Sequence, residues 1–140
     1  MYNCGGRKLS GSSGTWDLEV PTKVTNNILY QLSGEAYIFG TSCNQLSGSN
    51  NLWYGLGAPP CAMTGNMNVD PQLASPAGAN FQLSSSGSPA NGAGIAISGL
   101  SYDFDGLLRP SPPSIGAYDY TSNLSSQRPT PPTKLTLTVN

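Results

Sequence analysis

The sequence predicts an almost all-β chain folded as a short solenoid, in which coils of about 24 residues stack in parallel and a C-terminal segment caps the stack. Composition is the first reason. The 140 residues include 17 Gly and 12 Pro among many Ser, Asn and Thr, and these residues either break helices or compete with helical backbone bonds, so turns and short strands are favoured. A self-match is the second. Asn26-Asn27-Ile28-Leu29-Tyr30 recurs as Asn50-Asn51-Leu52-Trp53-Tyr54, with Thr25 and Ser49 ahead of them, an offset of 24 positions from 26 to 50. A fixed period in the twenties marks repeats that stack because none can bury its apolar face alone. Leucine-rich repeats share that range of period, but the regular Leu ladder they need is missing.

Taken in order, the elements fit a parallel β-helix. The two matched segments are strands of successive coils, whose equivalent residues would lie about 4.8 Å apart, so that Asn can ladder over Asn and Tyr stack over Tyr. Strand alternation then assigns faces. With Ile28 and Leu52 inward, Asn26, Tyr30, Asn50 and Tyr54 share that side, while Leu29 and Trp53 point outward one above the other; a bulge or coil boundary would reverse the two sides. Residues 55–65 hold Pro59, Pro60 and three glycines and read as a loop. Met67 to Leu73 and Asn80 to Leu83 read as strands around a turn at Ser75-Pro76-Ala77-Gly78. Beyond the turn-dense SGSPANGAGI come a strand candidate from Ile95 to Leu100, a turn at Asp103-Phe104-Asp105-Gly106 and a last strand from Ile115 to Tyr120. The domain body is thus residues 1–122. Residues 123–140 form a Pro/Thr-rich linker that leads into Leu135 to Val139, the start of a missing downstream element, and the tail after Ser125 is expected to be mobile or packed on another molecule.

Charge and cysteine content exclude several classes of function. A net charge of −1 with no basic cluster gives nothing to hold a phosphate backbone or an anionic bilayer. No apolar run approaches the roughly 20 residues that span a membrane, and the N-terminus lacks the apolar stretch of a signal peptide. Cys4, Cys43 and Cys61 are too few for a disulfide framework. Two readings of them stand side by side, a Cys43–Cys61 disulfide and three buried thiols. The chain contains no histidine, which removes Ser-His-Asp and Cys-His catalysis and argues against zinc.

The run SPANGAG, followed by DFDGLLRPSPPSIGAYDY, closely resembles the C-terminal signature of bacterial secreted right-handed parallel β-helix proteins of the pectate-lyase-like superfamily. NNILY, NNLWYG, VDPQL and FQLSSSGSPA look like their last coils, and MYNCGG resembles a coil strand cut at its start, so the resemblance runs from Met1 to Tyr120. Ser114 stands where such proteins usually have Asp, and Asp119 where they more often have Glu. The resemblance implies that catalytic residues lie on central coils upstream of this signature. It also implies an extracellular or cell-surface location and a linker to a surface anchor or accessory domain.

The chemistry available is sparse. A polysaccharide lyase needs a base and a cation for the uronate carboxylate; Lys23, just before a coil strand, is the candidate base. Arg109 is expected to tie down its own turn through Asp103 or Asp105. A glycoside hydrolase needs two carboxyl groups about 5 to 10 Å apart. Asp17 and Glu19 meet that spacing on one strand face, as any exposed strand would, and Asp70 before Pro71 is explained by a turn. Asp103-Phe104-Asp105-Gly106 is a calcium-loop fragment without the remaining ligands, so no cofactor is expected, with calcium as the minor alternative. The reading that results is a non-catalytic β-helix end module of a secreted carbohydrate-active protein, its partner polysaccharide. A small β-helix lyase or glycoside hydrolase is the alternative. An outward Trp53 is either covered by another segment or a binding platform; for a glycan it offers the best platform, extended by Leu29, with Asn27 and Asn51 as hydroxyl partners.

Overall fold

The computed structural model describes residues 9–10, 22–32, 38–39, 43–56, 58–59 and 61–120. Among these residues the protein is mostly β with no α-helix. The strands are β1 (Leu9–Ser10), β2 (Thr22–Thr25), β3 (Ile28–Tyr30), β4 (Ile38–Phe39), β5 (Leu46–Ser49), β6 (Leu52–Tyr54), β7 (Leu73–Ser75) and β8 (Asn80–Leu83). Branched and aromatic side chains in TKVT, ILY and LWY suit a pleated surface.

Three small two-stranded sheets are parallel: β1 with β4, β2 with β5 and β3 with β6. In the last two the register follows the sequence repeat, with Thr22 opposite Leu46, Ile28 opposite Leu52 and Tyr30 opposite Tyr54. The expected parallel stacking of the two matched segments is therefore observed. Between β2 and β3, and again between β5 and β6, the chain turns at an asparagine in the left-handed region, Asn26 at φ 57° and Asn50 at φ 52°. Asparagine is one of the few residues with a side chain that visits this region routinely. The same corner occurs a third time, at Gly65 (φ 69°), and delivers Met67 into a parallel bridge with Leu52. That step is shorter, 15 residues from Asn51 to Asn66.

Rung spacing also fixes a glycine. Gly48 faces Val24 with φ 132°, and a Cβ there would lie 1.8 Å from the Val24 carbonyl oxygen.

The C-terminal half departs from the expected strands. Met67 to Leu73 is reduced to the Met67 bridge followed by β7, which pairs antiparallel with β8 around the short turn Pro76–Gly78. Neither Ile95 to Leu100 nor Ile115 to Tyr120 is a strand. Their backbone groups bond across to irregular chain instead: Gly94 N–H donates to Pro113 O, Ile115 N–H to Ala90 O, and Gly116 N–H to Asn26 O.

This irregular segment lies over the Ile28/Leu52 side of β3 and β6. Leu52, Leu83, Ala90 and Ile115 form one buried cluster, with Ile28, Tyr54, Met67 and Leu73 packed against it. Leu29 and Trp53 form a separate cluster with Leu56. Both sides of the strand pair are thus buried. The expectations for MYNCGG, Asp17, Glu19, the linker 123–140 and Leu135 to Val139 fall outside the described residues.

Candidate functional site

The repeated asparagines make a three-rung amide ladder. The Asn27 backbone N–H and Nδ2 donate to Asn51 Oδ1 (3.0 and 3.4 Å), and the same two groups of Asn51 donate to Asn66 Oδ1 (3.0 and 3.2 Å). Asn51 Nδ2 also reaches Val24 O (2.9 Å), so the side chain, which is fully buried, has its amide capacity taken up by the fold. Asn27 and Asn51 had been expected to meet sugar hydroxyls; Asn51 is instead a structural amide. Asn66 was not expected in this role. Its signal was present in the order of residues, a left-handed position, then Asn, then an apolar residue, without the 24-residue offset.

Trp53 and Leu29 are register partners, as expected, but both are 0% exposed. A sugar ring needs an accessible aromatic plane, which neither Trp53 nor Leu29 presents in this placement. Alternation identified which residues share a side. It did not identify which side was closed, because the C-terminal segment covers the other one as well.

Cys43 and Cys61 form a disulfide with a Cα–Cα distance of 5.5 Å. It braces the loop that presents Asn66, whose Nδ2 reaches Cys61 O at 3.5 Å. Cys4 lies outside the described residues.

In the C-terminal segment the ionic chemistry is structural. Asp103 Oδ1 accepts from the N–H groups of Asp105 and Leu107 (both 2.9 Å), and its Oδ2 accepts from Asp119 N–H (3.2 Å). With Asp103 spent on backbone donors, Arg109 pairs with Asp119 instead (2.7 Å), which corrects the expected Asp103 or Asp105 partner. The guanidinium also donates to the carbonyls of Tyr102, Gly116 and Ala117, and Asp119 Oδ1 accepts from Ser114 N–H. Asp105 Oδ2 takes a bond from Gln82 Nε2, and Asp70 Oδ1 caps Gln72 N–H. Lys23 is exposed on β2 opposite Ser47.

Two further asparagines act outward. Asn50 Nδ2 donates to Ala93 O (2.9 Å), while Asn26 exchanges two bonds with the Ile95 backbone (2.7 and 3.0 Å). They pin the C-terminal segment onto successive corners. Beside the Asn26 corner a groove of about 700 Å³ opens, lined by Asn27, Ile28, Ile97, Leu100, Tyr102 and Phe104 among others. Its walls are mainly apolar. Comparisons with family models, with curated proteins and with solved structures returned no match.

Proposed function

We propose that this chain is the C-terminal end of a right-handed parallel β-helix in a secreted carbohydrate-active protein, a non-catalytic module that closes the stack, with polysaccharide as the partner of the protein it serves. The observation that carries the reading is the Asn27–Asn51–Asn66 ladder. A repeated side-chain amide bridging equivalent positions of parallel strands is what stacked coils require. Right-handedness follows from the strong preference of parallel crossover connections. Support for a non-catalytic role comes from Asp70, Asp103, Asp105 and Asp119, each of which accepts a bond that holds a turn or joins segments. Catalysis by paired carboxyl groups needs them facing a substrate. The Cys43–Cys61 disulfide is compatible with an oxidising, extracellular setting.

Incubating the full chain with a panel of polysaccharides checks this reading. The expected result is neither new reducing ends nor the ultraviolet absorbance of unsaturated uronates above a no-protein control. Appearance of either product replaces the module with the small glycoside hydrolase or the small lyase, respectively.

A further inference from the structure

Asn91-Gly92 is the one Asn-Gly pair in the sequence. An asparagine side chain can be attacked by the backbone nitrogen of the next residue, and glycine, with no Cβ, obstructs that attack least. Gly92 has room to move as well, since it stands at φ 63° and no atom lies within 4 Å of where a Cβ would be. Two successive tight turns hold the pair, with Asn91 N–H donating to Ser88 O (3.0 Å) and Ala93 N–H to Ala90 O (3.4 Å).

Ser114 gives this pair its chemistry. The residue is fully buried, and its hydroxyl stands 3.4 Å from both reacting groups: Gly92 N–H donates to Ser114 Oγ, and Ser114 O–H donates to Asn91 Oδ1. On the far side Asn91 Nδ2 donates to Ser86 O (3.0 Å). A carbonyl can only accept, so this bond fixes which side-chain atom is the nitrogen and leaves Oδ1 facing Ser114. Ser114 is itself held in place, its N–H on Asp119 Oδ1 and Asp119 paired with Arg109. One hydroxyl thus meets the attacking nitrogen with a lone pair and the carbonyl oxygen with a proton, which is the arrangement of a proton relay.

We propose that Asn91-Gly92 is a self-modification site, in which Ser114 relays the proton as the Gly92 nitrogen closes on the Asn91 side chain. The bond from Gly92 N to Asn91 Cγ forms while the N–H proton passes to Ser114 Oγ and the Ser114 proton passes to Oδ1. The resulting hydroxyl collapses to a carbonyl, its proton goes to Nδ2, and the Cγ–Nδ2 bond breaks to release ammonia. A succinimide ring remains. Water opens it at either carbonyl, leaving aspartate or isoaspartate at position 91. Water is the co-reactant, and Asn91 and Gly92, both half-buried, are open to it. The product has no donor for Ser86 O and sets a carboxylate in its place. On either side, Ala90 O accepts from Ile115 N–H and Ala93 O from Asn50 Nδ2, so the change falls where the C-terminal segment is pinned to the strands. The site does not depend on the β-helix reading.

The rate of conversion at position 91 tests this, measured on the full chain by mass-spectrometric peptide mapping and isoaspartate detection, in buffer and in denaturing guanidinium chloride. An ordered turn without a relay slows ring closure relative to the unfolded chain, because it restricts the approach of nitrogen to Cγ. A positioned acid–base group acts in the other direction, so the native protein is expected to convert at least about tenfold faster than the denatured chain. Ser114→Ala, incubated below its unfolding transition, should fall to the denatured rate or lower, while its rate in guanidinium matches that of the unmodified sequence. If the native protein converts no faster than the denatured chain, the proposal is overturned, whether or not the variant folds. If folded Ser114→Ala converts as fast as the native protein, it is overturned too, because the ring then closes without the relay.

Discussion

Trp53 packs against Leu29 with no surface left for solvent, so its energetic role is set by burial. Truncating a buried Trp removes its transfer free energy and leaves a cavity, on the order of 3–5 kcal/mol for Trp to Ala. Trp53→Ala should therefore lower the denaturant midpoint by an amount of that order, while any polysaccharide affinity of the folded fraction stays unchanged; titration calorimetry below the unfolding transition checks the second half. Tyr54 behaves differently. Its phenol has a pKa above the usual value of 10.0, chiefly because of the Asp70 charge, then the hydrogen bond to Asp70, then burial. A pKa raised by folding means a contribution that is fully present below the unfolded tyrosine value and is lost as pH rises through the folded one. In an alkaline absorbance titration, Asp70→Asn should move the Tyr54 ionisation down towards the ordinary value. Tyr118, raised mainly by burial, should not follow.

The rungs depend on backbone approach at a few points. Gly48→Ala places a methyl group 1.8 Å from the Val24 carbonyl at φ 132°, so β2 and β5 must separate, with an expected loss of more than about 3 kcal/mol. Gly92→Ala is the control, since nothing lies within 4 Å of its Cβ at φ 63°, and the left-handed strain alone amounts to about 1–2 kcal/mol. Thermal unfolding of the two variants should differ accordingly. Much of this was legible beforehand, because Asn26 to Tyr30 and Asn50 to Tyr54 give their register by identity. The third corner was not, since Gly65-Asn66-Met67 shares only the Asn with its predecessors and follows after 15 residues. The faces were half legible. Alternation paired Leu29 with Trp53 and Ile28 with Leu52, but enclosure depends on residues far along the chain, such as Ile115 and Leu83. Asp103 illustrates the same limit from the other direction. Local N–H groups two and four residues on take its carboxylate before Arg109 can, and Asp119 becomes visible as the partner only once Ser114 and Gly116 are in place.

At the scale of the molecule, Arg109 joins the two ends of the C-terminal segment by bonding Tyr102 O, Gly116 O, Ala117 O and Asp119 at once. Lysine keeps the charge but lacks the planar fork that serves several acceptors. Arg109→Lys should lower stability by about 2 kcal/mol, and hydrogen exchange should show the Phe104 and Gly116 amides losing protection while Leu52 keeps its own. If Leu52 loses protection equally, the cap and the parallel strands unfold as one unit.

The shortened step to the third rung has a consequence for assembly. Parallel strands with identical stacked amides are the geometry of fibrils, which lengthen by adding chains at an open edge. After Met67 the chain leaves that direction and folds back as the β7–β8 hairpin, so an incoming molecule at this end meets one bridge in place of a strand. Elongation there is blocked by the chain's own route, and the protein can hold the internal order of a fibril while remaining unable to seed one from its finished end.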